Sequence, residues 1–345
     1  MLKISFSQIF FKYTINWNNI QLSEFDIALE NIWKEKMKEG IFRYELKNLK
    51  SRILEGNFQF LAQLNTDRAI KRRKPMRMIA INQPFDENLF NFTKINKNEI
   101  VFQIIREFLQ EPEAEDFIAI NVSPLEFGHC LLLPSLHQRL PQLLTLRSIK
   151  LATEVILSSY NPALRIAFNG LCAYASVNHL HLHIYYLNQP MLLETIAVNH
   201  LSGNCYTLEK HPSKGYVFQI SSVNDIIPII LDVDRLISLL IENNVAHNLY
   251  MTRGLSFERA ASSQNITERD NVRIYVWART HSEEIKIVDE LNPAACELFG
   301  HLLLKTEESY YRFTEEEAIE TLRSLTEGPF HATKEKVKQL FENIN

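Results

Sequence analysis

Five consecutive residues, His179-Leu180-His181-Leu182-His183, set three imidazoles at a spacing of two. In an extended strand the side chains alternate between faces, so these rings share one face while Leu180, Leu182 and Ile184 turn to the buried other. Such a row admits three readings. Histidines two apart on a strand make good zinc ligands. Alternatively, one imidazole attacks phosphorus and forms a phosphoramidate, while its neighbours bind phosphate oxygens. The third reading is three half-exposed polar residues on an ordinary amphipathic strand. The pentapeptide alone leaves all three open.

Other reactive side chains are dispersed. Arg68 and the run Lys71-Arg72-Arg73-Lys74, ending at Pro75, read as a basic loop, either a solvated surface or a phosphate grip. Cys130, Cys172, Cys205 and Cys296 lie far apart without a Cys-x-x-Cys pair. That spacing argues against a disulfide framework or a zinc knuckle and suits a reducing compartment. His129, after Gly128 at a strand start, reads as structural, and His200, His211, His247, His281, His301 and His331 have no grouping.

The elements that must position these residues are legible from periodicity. Phe25, Ala28, Leu29, Ile32, Trp33 and Met37 predict a helix from Ser23, a natural cap, to Glu39 before Gly40. Strands are expected at Phe58–Leu64, Arg77–Ile81, Ile118–Val122 and His129–Leu133. A helix follows Pro141 as far as Tyr160, then a strand at Leu164–Phe168, a turn at Asn169-Gly170, and the histidine strand. Farther on, 224–243 reads as a helix with Pro228 near its start, and Asn248–Thr252 and Val272–Ala278 read as strands. Helices are expected from Pro293 through Leu304, over Phe313–Leu325 and over Lys334–Phe341. The stretch 199–215 suggests a linker, and 259–271 a polar loop. Strands that alternate with helices yet also run back to back favour an α+β design with an antiparallel sheet.

Composition narrows the partners. The chain has 345 residues, 46% hydrophobic and 23% charged, with a formal net charge of −4. No positive excess argues for nucleic acid or an anionic membrane, so an anionic substrate must be gripped locally. No run reaches the roughly 18 apolar residues of a membrane span, and Ser7, Gln8 and Lys12 interrupt the apolar N-terminus. A cytoplasmic protein is expected.

The surroundings of the histidines carry a resemblance. Phe168-Asn169-Gly170 and then Ser176-Val177-Asn178, running into the pentapeptide and Ile184-Tyr185, resemble the His-φ-His-φ-His-φ-φ motif (φ, apolar) of the histidine-triad superfamily. Gly128-His129-Cys130-Leu131-Leu132-Leu133-Pro134 with His137 looks like the preceding strand of that superfamily. A glycine-rich approach to the triad is replaced by Leu171-Cys172-Ala173-Tyr174-Ala175. Within the superfamily, Gln63-Leu64-Asn65 with Arg68 and Arg72-Arg73, Pro84-Phe85-Asp86, and Phe90-Asn91-Phe92-Thr93-Lys94 are similar to the GDP-hexose phosphorylase branch. So are Asn121–Gly128, Leu140-Pro141-Gln142 and Pro293-Ala294-Ala295-Cys296-Glu297-Leu298-Phe299-Gly300-His301, and the matches span about 20–325. Plant GDP-L-galactose phosphorylases and galactose-1-phosphate uridylyltransferases end the triad in Gln. His183 here resembles instead the animal members that act on GDP-D-glucose.

This resemblance implies an antiparallel sheet with packed helices, built as two similar halves. The first, 1–200, would bear the triad, and the second, 201–345, would lack it. It implies a nucleotidyl transfer in which His181 takes GMP from GDP-glucose, releases glucose 1-phosphate and passes GMP to inorganic phosphate. His179 and His183 would assist as catalytic partners. Asn169 and Ser176 would contact phosphate, as would Arg68, Arg72 and Arg73; Asn91 would reach the nucleoside, and His137 would buttress the triad. No metal and no other cofactor is implied. A nucleotide hydrolase of the same superfamily, another GDP-hexose phosphorylase, or a non-enzymatic guanine-nucleotide-binding regulator are the competing readings. Oligomeric state is not implied.

Overall fold

The computed structural model describes residues 2–105, 115–260, 267–283 and 291–342. The first half contains β1 (Leu2–Ser5), β2 (Ile15–Asn16), α1 (Glu24–Lys38), β3 (Lys50–Ile53), β4 (Leu61–Leu64) and α2 (Thr66–Lys71). It continues with β5 (Ile100–Ile105), β6 (Asp116–Ile120), β7 (Cys130–Leu133), α3 (Leu146–Ser158), β8 (Leu164–Asn169) and β9 (Leu182–Tyr186). The second half contains β10 (Asn199–Ser202), β11 (Cys205–Leu208), β12 (Gly215–Ile220), α4 (Ile226–Glu242), β13 (Ala246–Gly254) and α5 (Phe257–Ala260). After these come β14 (Glu268–Arg269), β15 (Asn271–Arg279), α6 (Ala295–Leu298), β16 (His301–Leu304), α7 (Glu307–Arg312) and α8 (Glu315–Glu342).

The large sheet has the order β1-β5-β6-β7-β9-β8-β13-β15-β12-β11-β10. Its halves repeat one layout. The meander β5-β6-β7 is followed by α3, then β8 and β9, with β9 inserted between β7 and β8. In the second half β10-β11-β12 is followed by α4, then β13 and β15, with β15 between β12 and β13. The halves meet where β8 and β13 pair antiparallel, Asn169 opposite Asn248. This α+β design is the one the sequence implied, except that β1 joins β5 in parallel.

One face of the sheet is covered by α1, α3 and α4, with Leu180, Leu182 and Ile184 in that core. Each fully buried aliphatic side chain contributes roughly 1.5–3 kcal/mol. Ser23 caps α1 in a reciprocal pair with Asp26, and Gly40 follows with φ +72, a conformation that glycine tolerates. On the opposite face lies a small sheet in which β16 of the second half runs parallel to β4 of the first. The cleft lies on this side.

Several expected elements differ. The strand expected from Phe58 starts at Leu61, because Gln59 has φ +53 and breaks the extended run. Arg68 and Lys71 belong to α2, which Asn65 caps by accepting from the Arg68 N–H at 2.9 Å, so the basic segment is half helix. No strand forms over 77–81; Met78 and Ile81 pack instead against Leu171, Cys172 and Ala173. The expected linker is the hairpin β10–β11. Of the expected polar loop 259–271, residues 261–266 lie outside the described residues, and α5, β14 and β15 occupy part of the remainder.

The helix expected from Pro293 ends at Leu298, and Gly300, at φ +101, turns the chain into β16. Two expected terminal helices are the single α8. Pro329 removes one backbone hydrogen bond there. Leu322, Thr326, Phe330, Val337 and Phe341, buried along one stripe, hold both sides of it to the body. Pro228 sits in the first turn of α4, where its missing N–H has no helical partner to lose.

Candidate active site

The histidine row is built by two segments. Only His183 lies within the β9 ladder, opposite Leu131 of β7 and Ala167 of β8. Residues 179–181 lie outside the ladder, where 140–142 faces them and takes their polar groups. The Leu180 N–H donates to the Leu140 carbonyl at 2.9 Å. Gln142, fully buried, accepts from the His181 N–H at 2.9 Å and donates to the carbonyls of His181 at 3.0 Å and Asn169 at 2.9 Å. Leu180 and Leu182 enter the core, His181 and His183 line the cleft, and His179 packs against Phe92 instead.

Fixed partners set each ring's proton. His181 Nδ1 lies 2.7 Å from the His179 carbonyl, which can only accept. The proton therefore sits on Nδ1 and the lone pair on Nε2. Gln142 Oε1, 2.9 Å away, shares that proton. Of the two donors that approach His129, the Leu125 N–H lies 2.8 Å from Nδ1 and the Asn121 amide nitrogen 3.3 Å from Nε2; the shorter contact makes Nδ1 the acceptor, so His129 carries its proton on Nε2. That nitrogen is 3.1 Å from His183 Nδ1. His183 accepts there and carries its own proton on Nε2. Thus His181 presents a nucleophilic nitrogen and His183 an N–H donor. Burial holds the fully enclosed His129 well below the usual histidine range, which keeps it neutral and preserves this order.

His179 plays a different part. Its Nδ1 accepts from the Phe92 N–H at 3.0 Å, and Phe92 stacks on it while its ring centroid also lies 4.8 Å from that of His181. Burial lowers its pKa to about 4. It lines neither part of the cleft and acts through its carbonyl on His181.

The cleft has two lobes that share Arg68, Arg72, Ser176 and His183. Lobe two, about 740 Å³ with the solvent it opens to, holds His181 among Phe90, Phe92, Ile95, Ile120 and Leu131, with Asn121 and Glu99 as polar groups. Lobe one, about 890 Å³ on the same measure, is more polar, with Asn65, Asn169, Tyr185, Asn292, Glu297 and Lys305. At the shared wall Arg72 makes no hydrogen bond or ion pair from its guanidinium among the described residues. Burial and the neighbouring Arg68 lower its pKa to about 10, still charged near neutrality. Arg68 itself is tied to the Ser123 carbonyl. Asn169 Oδ1 accepts from Asn248 Nδ2 at 3.0 Å and from the Ala295 N–H at 2.8 Å, which leaves its amide N–H groups for lobe one.

Three expected site residues are placed otherwise. Arg73 is exposed and lies over the Phe90 ring, 3.1 Å from its centroid, at the rim of lobe two. Asn91 does not reach the cleft: its Oδ1 accepts from the Thr93 N–H at 3.1 Å and its Nδ2 turns to the Leu89 carbonyl at 3.2 Å. Its work is to shape the turn that presents Phe90 and Phe92. His137 is half exposed, pairs with Glu115 at 3.3 Å and lines neither lobe. Among the described residues no three His, Cys, Asp or Glu side chains converge as a metal site.

Gln142, Asn121, Tyr185 and Glu297 were missed as site residues, although all lie in or beside stretches that carry the resemblance. Contact across sequence separations of up to about 180 residues brings them together, and no local pattern reports that.

Comparison with known proteins follows the same lines. Residues 24–185 match the family described as GDPGP1-like, N-terminal domain, and residues 188–344 match GDPGP1-like, C-terminal domain. GDP-D-glucose phosphorylase 1 of Danio rerio is 38% identical over 325 residues, covering 93% of this chain and 91% of the relative. The Homo sapiens protein of the same name is 38% identical over 90% of this chain and 81% of its own. GDP-L-galactose phosphorylase 1 of Arabidopsis thaliana is 28% identical over 90% of this chain and 72% of its own. A crystal structure of yeast Ap4A phosphorylase Apa2 in complex with Ap4A superposes with a TM-score of 0.60 at 15% identity, over 89% of this chain and 98% of that one. The chain thus shares its fold with that phosphorylase.

Proposed function

The chain belongs to the GDPGP1-like family, and from that membership and the cleft we propose that it catalyses phosphorolysis of GDP-D-glucose to GDP and glucose 1-phosphate. The observation that carries the reading is the opposed proton placement on His181 and His183 at the junction of two lobes.

GMP seats its base among the aromatic and aliphatic groups of lobe two, which brings the α-phosphorus to His181 Nε2. That nitrogen attacks, the P–N bond forms, and the bond to the sugar phosphate breaks, leaving a guanylyl-histidine. Neutral imidazole suits this step near pH 7. Glucose 1-phosphate departs as a stable anion, so no strong general acid is needed. The proton on Nδ1 stays with the His179 carbonyl, which disperses the positive charge that builds on the ring. His183 Nε2–H and the Ser176 hydroxyl donate to the oxygens of the transferring group. Arg72 and Arg68 hold the second phosphate. Inorganic phosphate then enters that position and attacks phosphorus, and the P–N bond breaks to give GDP. Glucose is favoured over L-galactose by 38% against 28% identity and by His183 in place of Gln.

Four separate, buried thiols suit a reducing cytoplasm, and no described helix is long and apolar enough to cross a membrane. The test is phosphate-dependent release of GDP from GDP-glucose, with GDP-mannose and GDP-L-galactose compared. Omitting phosphate should trap a guanylyl adduct on His181, mapped by peptide mass. Release of GMP regardless of phosphate would mark a hydrolase, and loss of neither product in H181A would remove the assigned nucleophile.

A further inference from the structure

The stretch 292–305, contributed by the second half, lines lobe one and no part of lobe two. Within it Glu297 is only 3% exposed, yet it lies at the cavity wall. Its two oxygens are unlike. Oε2 accepts from the Ala294 N–H at 2.8 Å and from the Cys296 thiol at 2.9 Å. Oε1 accepts no hydrogen bond among the described residues, and Arg72 and Arg279 interact with the carboxylate through its charge without closing an ion pair. One oxygen of the carboxylate is clamped by the chain, and the other opens into the lobe, where it can only accept a hydrogen bond from a donor that enters.

The chemistry of that donor is constrained. Phosphate oxygens carry negative charge and are repelled, and they have Arg72 and Arg68 on the wall shared with lobe two. A purine fits the apolar lobe beside His181 instead. What remains is a neutral, hydroxyl-rich group attached beyond the second phosphate. We propose that Glu297 reads the hexose, its Oε1 accepting from sugar hydroxyl groups, and that the second half of the chain therefore supplies sugar specificity. This rests on the GDP-hexose reading above. The same short turn orients Asn169 through the Ala295 N–H, so catalytic wall and sugar wall are joined by one backbone segment.

Two reactions of the same enzyme separate the hexose from the phosphates. In GDP-glucose phosphorolysis the sugar must be held. In exchange of radiolabelled phosphate into GDP, His181 attacks the α-phosphorus of GDP, phosphate leaves, and labelled phosphate returns; no sugar takes part. In E297Q the carbonyl oxygen keeps the Ala294 and Cys296 donors, so an NH2 group replaces the acceptor facing the lobe. Phosphorolysis kcat/KM should then fall roughly 10- to 150-fold, the worth of a hydrogen bond to a charged group, while phosphate–GDP exchange, which involves no sugar, falls by a distinctly smaller factor. A GDP-deoxyglucose lacking the hydroxyl that Glu297 accepts should be slowed with the parent and no further with E297Q. E297A, with a melting curve to check folding, should lose phosphorolysis likewise. Equal losses in both reactions would assign Glu297 to the phosphates and overturn the proposal, as would no loss in either. A parent enzyme that performs neither reaction overturns the GDP-hexose reading itself, and this one with it.

Discussion

Replacing His129 tests whether proton placement, rather than mere proximity, makes the site. His129 touches no cavity, is fully buried, and lies 3.1 Å from His183 through Nε2. In H129F two things are lost. The Leu125 N–H, bonded to Nδ1 at 2.8 Å, is left without an acceptor, which costs about 1–3 kcal/mol of stability. His183 also loses the donor that fixes its tautomer and ring orientation, and loss of a comparable supporting partner typically costs about 10–100-fold in activity. The loss should fall on kcat more than on KM, because His183, the group that loses its support, is assigned to the transferring phosphoryl group, while the rest of each lobe keeps its own contacts. H129Q should recover part of it, since an amide can accept from Leu125 and donate to His183. The assay is steady-state phosphorolysis on variants shown by melting to be folded, with nitrogen NMR of labelled histidines to read the tautomer. Folded H129F with the parent's kcat, or H129Q no better than H129F, would refute the relay.

Three further outcomes follow from other parts of the structure. R72M should raise the KM for inorganic phosphate roughly 10- to 150-fold, and R72K should recover only part, because an ammonium lacks the planar fork; phosphate saturation curves decide it. Burial lowers the pKa of His211 and His301 to about 3 and of His247 to about 4, so the unfolded chain binds protons there that the folded one refuses. The stability they confer is therefore full above about pH 6.5 and is lost as pH falls toward those values, about 2 kcal/mol for each at pH 5; a Tm unchanged from about pH 7 to pH 5 would contradict this. Glu194, fully buried, accepts from Arg165 Nη2 at 2.5 Å, Arg269 Nε at 2.7 Å and Trp17 Nε1 at 2.9 Å. E194L should cost about 3–5 kcal/mol, because two guanidiniums stay buried without their counter-ion; the denaturant midpoint measures it.

Legibility in the sequence tracked the range of the interactions involved. Helix α1, with its cap, periodic stripe and terminal glycine, is specified within a few turns, and its observed span Glu24–Lys38 lies within a residue of the expected one. The histidine row was readable because period two is a property of the extended chain itself. Failures came where tertiary packing overrode local signals. Pro329 reads as a break, but the sheet beneath α8 holds the helix through it. The stretch 199–215 reads as linker because its polar composition hides the edge hairpin over 199–208. Asn91 stood between two cleft phenylalanines and looked like a ligand, while its amide was already committed to the turn.

By itself, then, the sequence determined the family and the row of imidazoles at a spacing of two, since these depend on residue identity and short spacing, and the resemblance implied the doubled layout. It could not determine which nitrogen of each imidazole carries the proton. That depends on the His179 carbonyl, the Leu125 N–H and the buried His129, groups set by how separate segments cross. Nor could it bring Glu297 into one lobe with Arg68 and Arg72, because that is decided by β16 lying beside β4, a contact between chain segments more than two hundred residues apart.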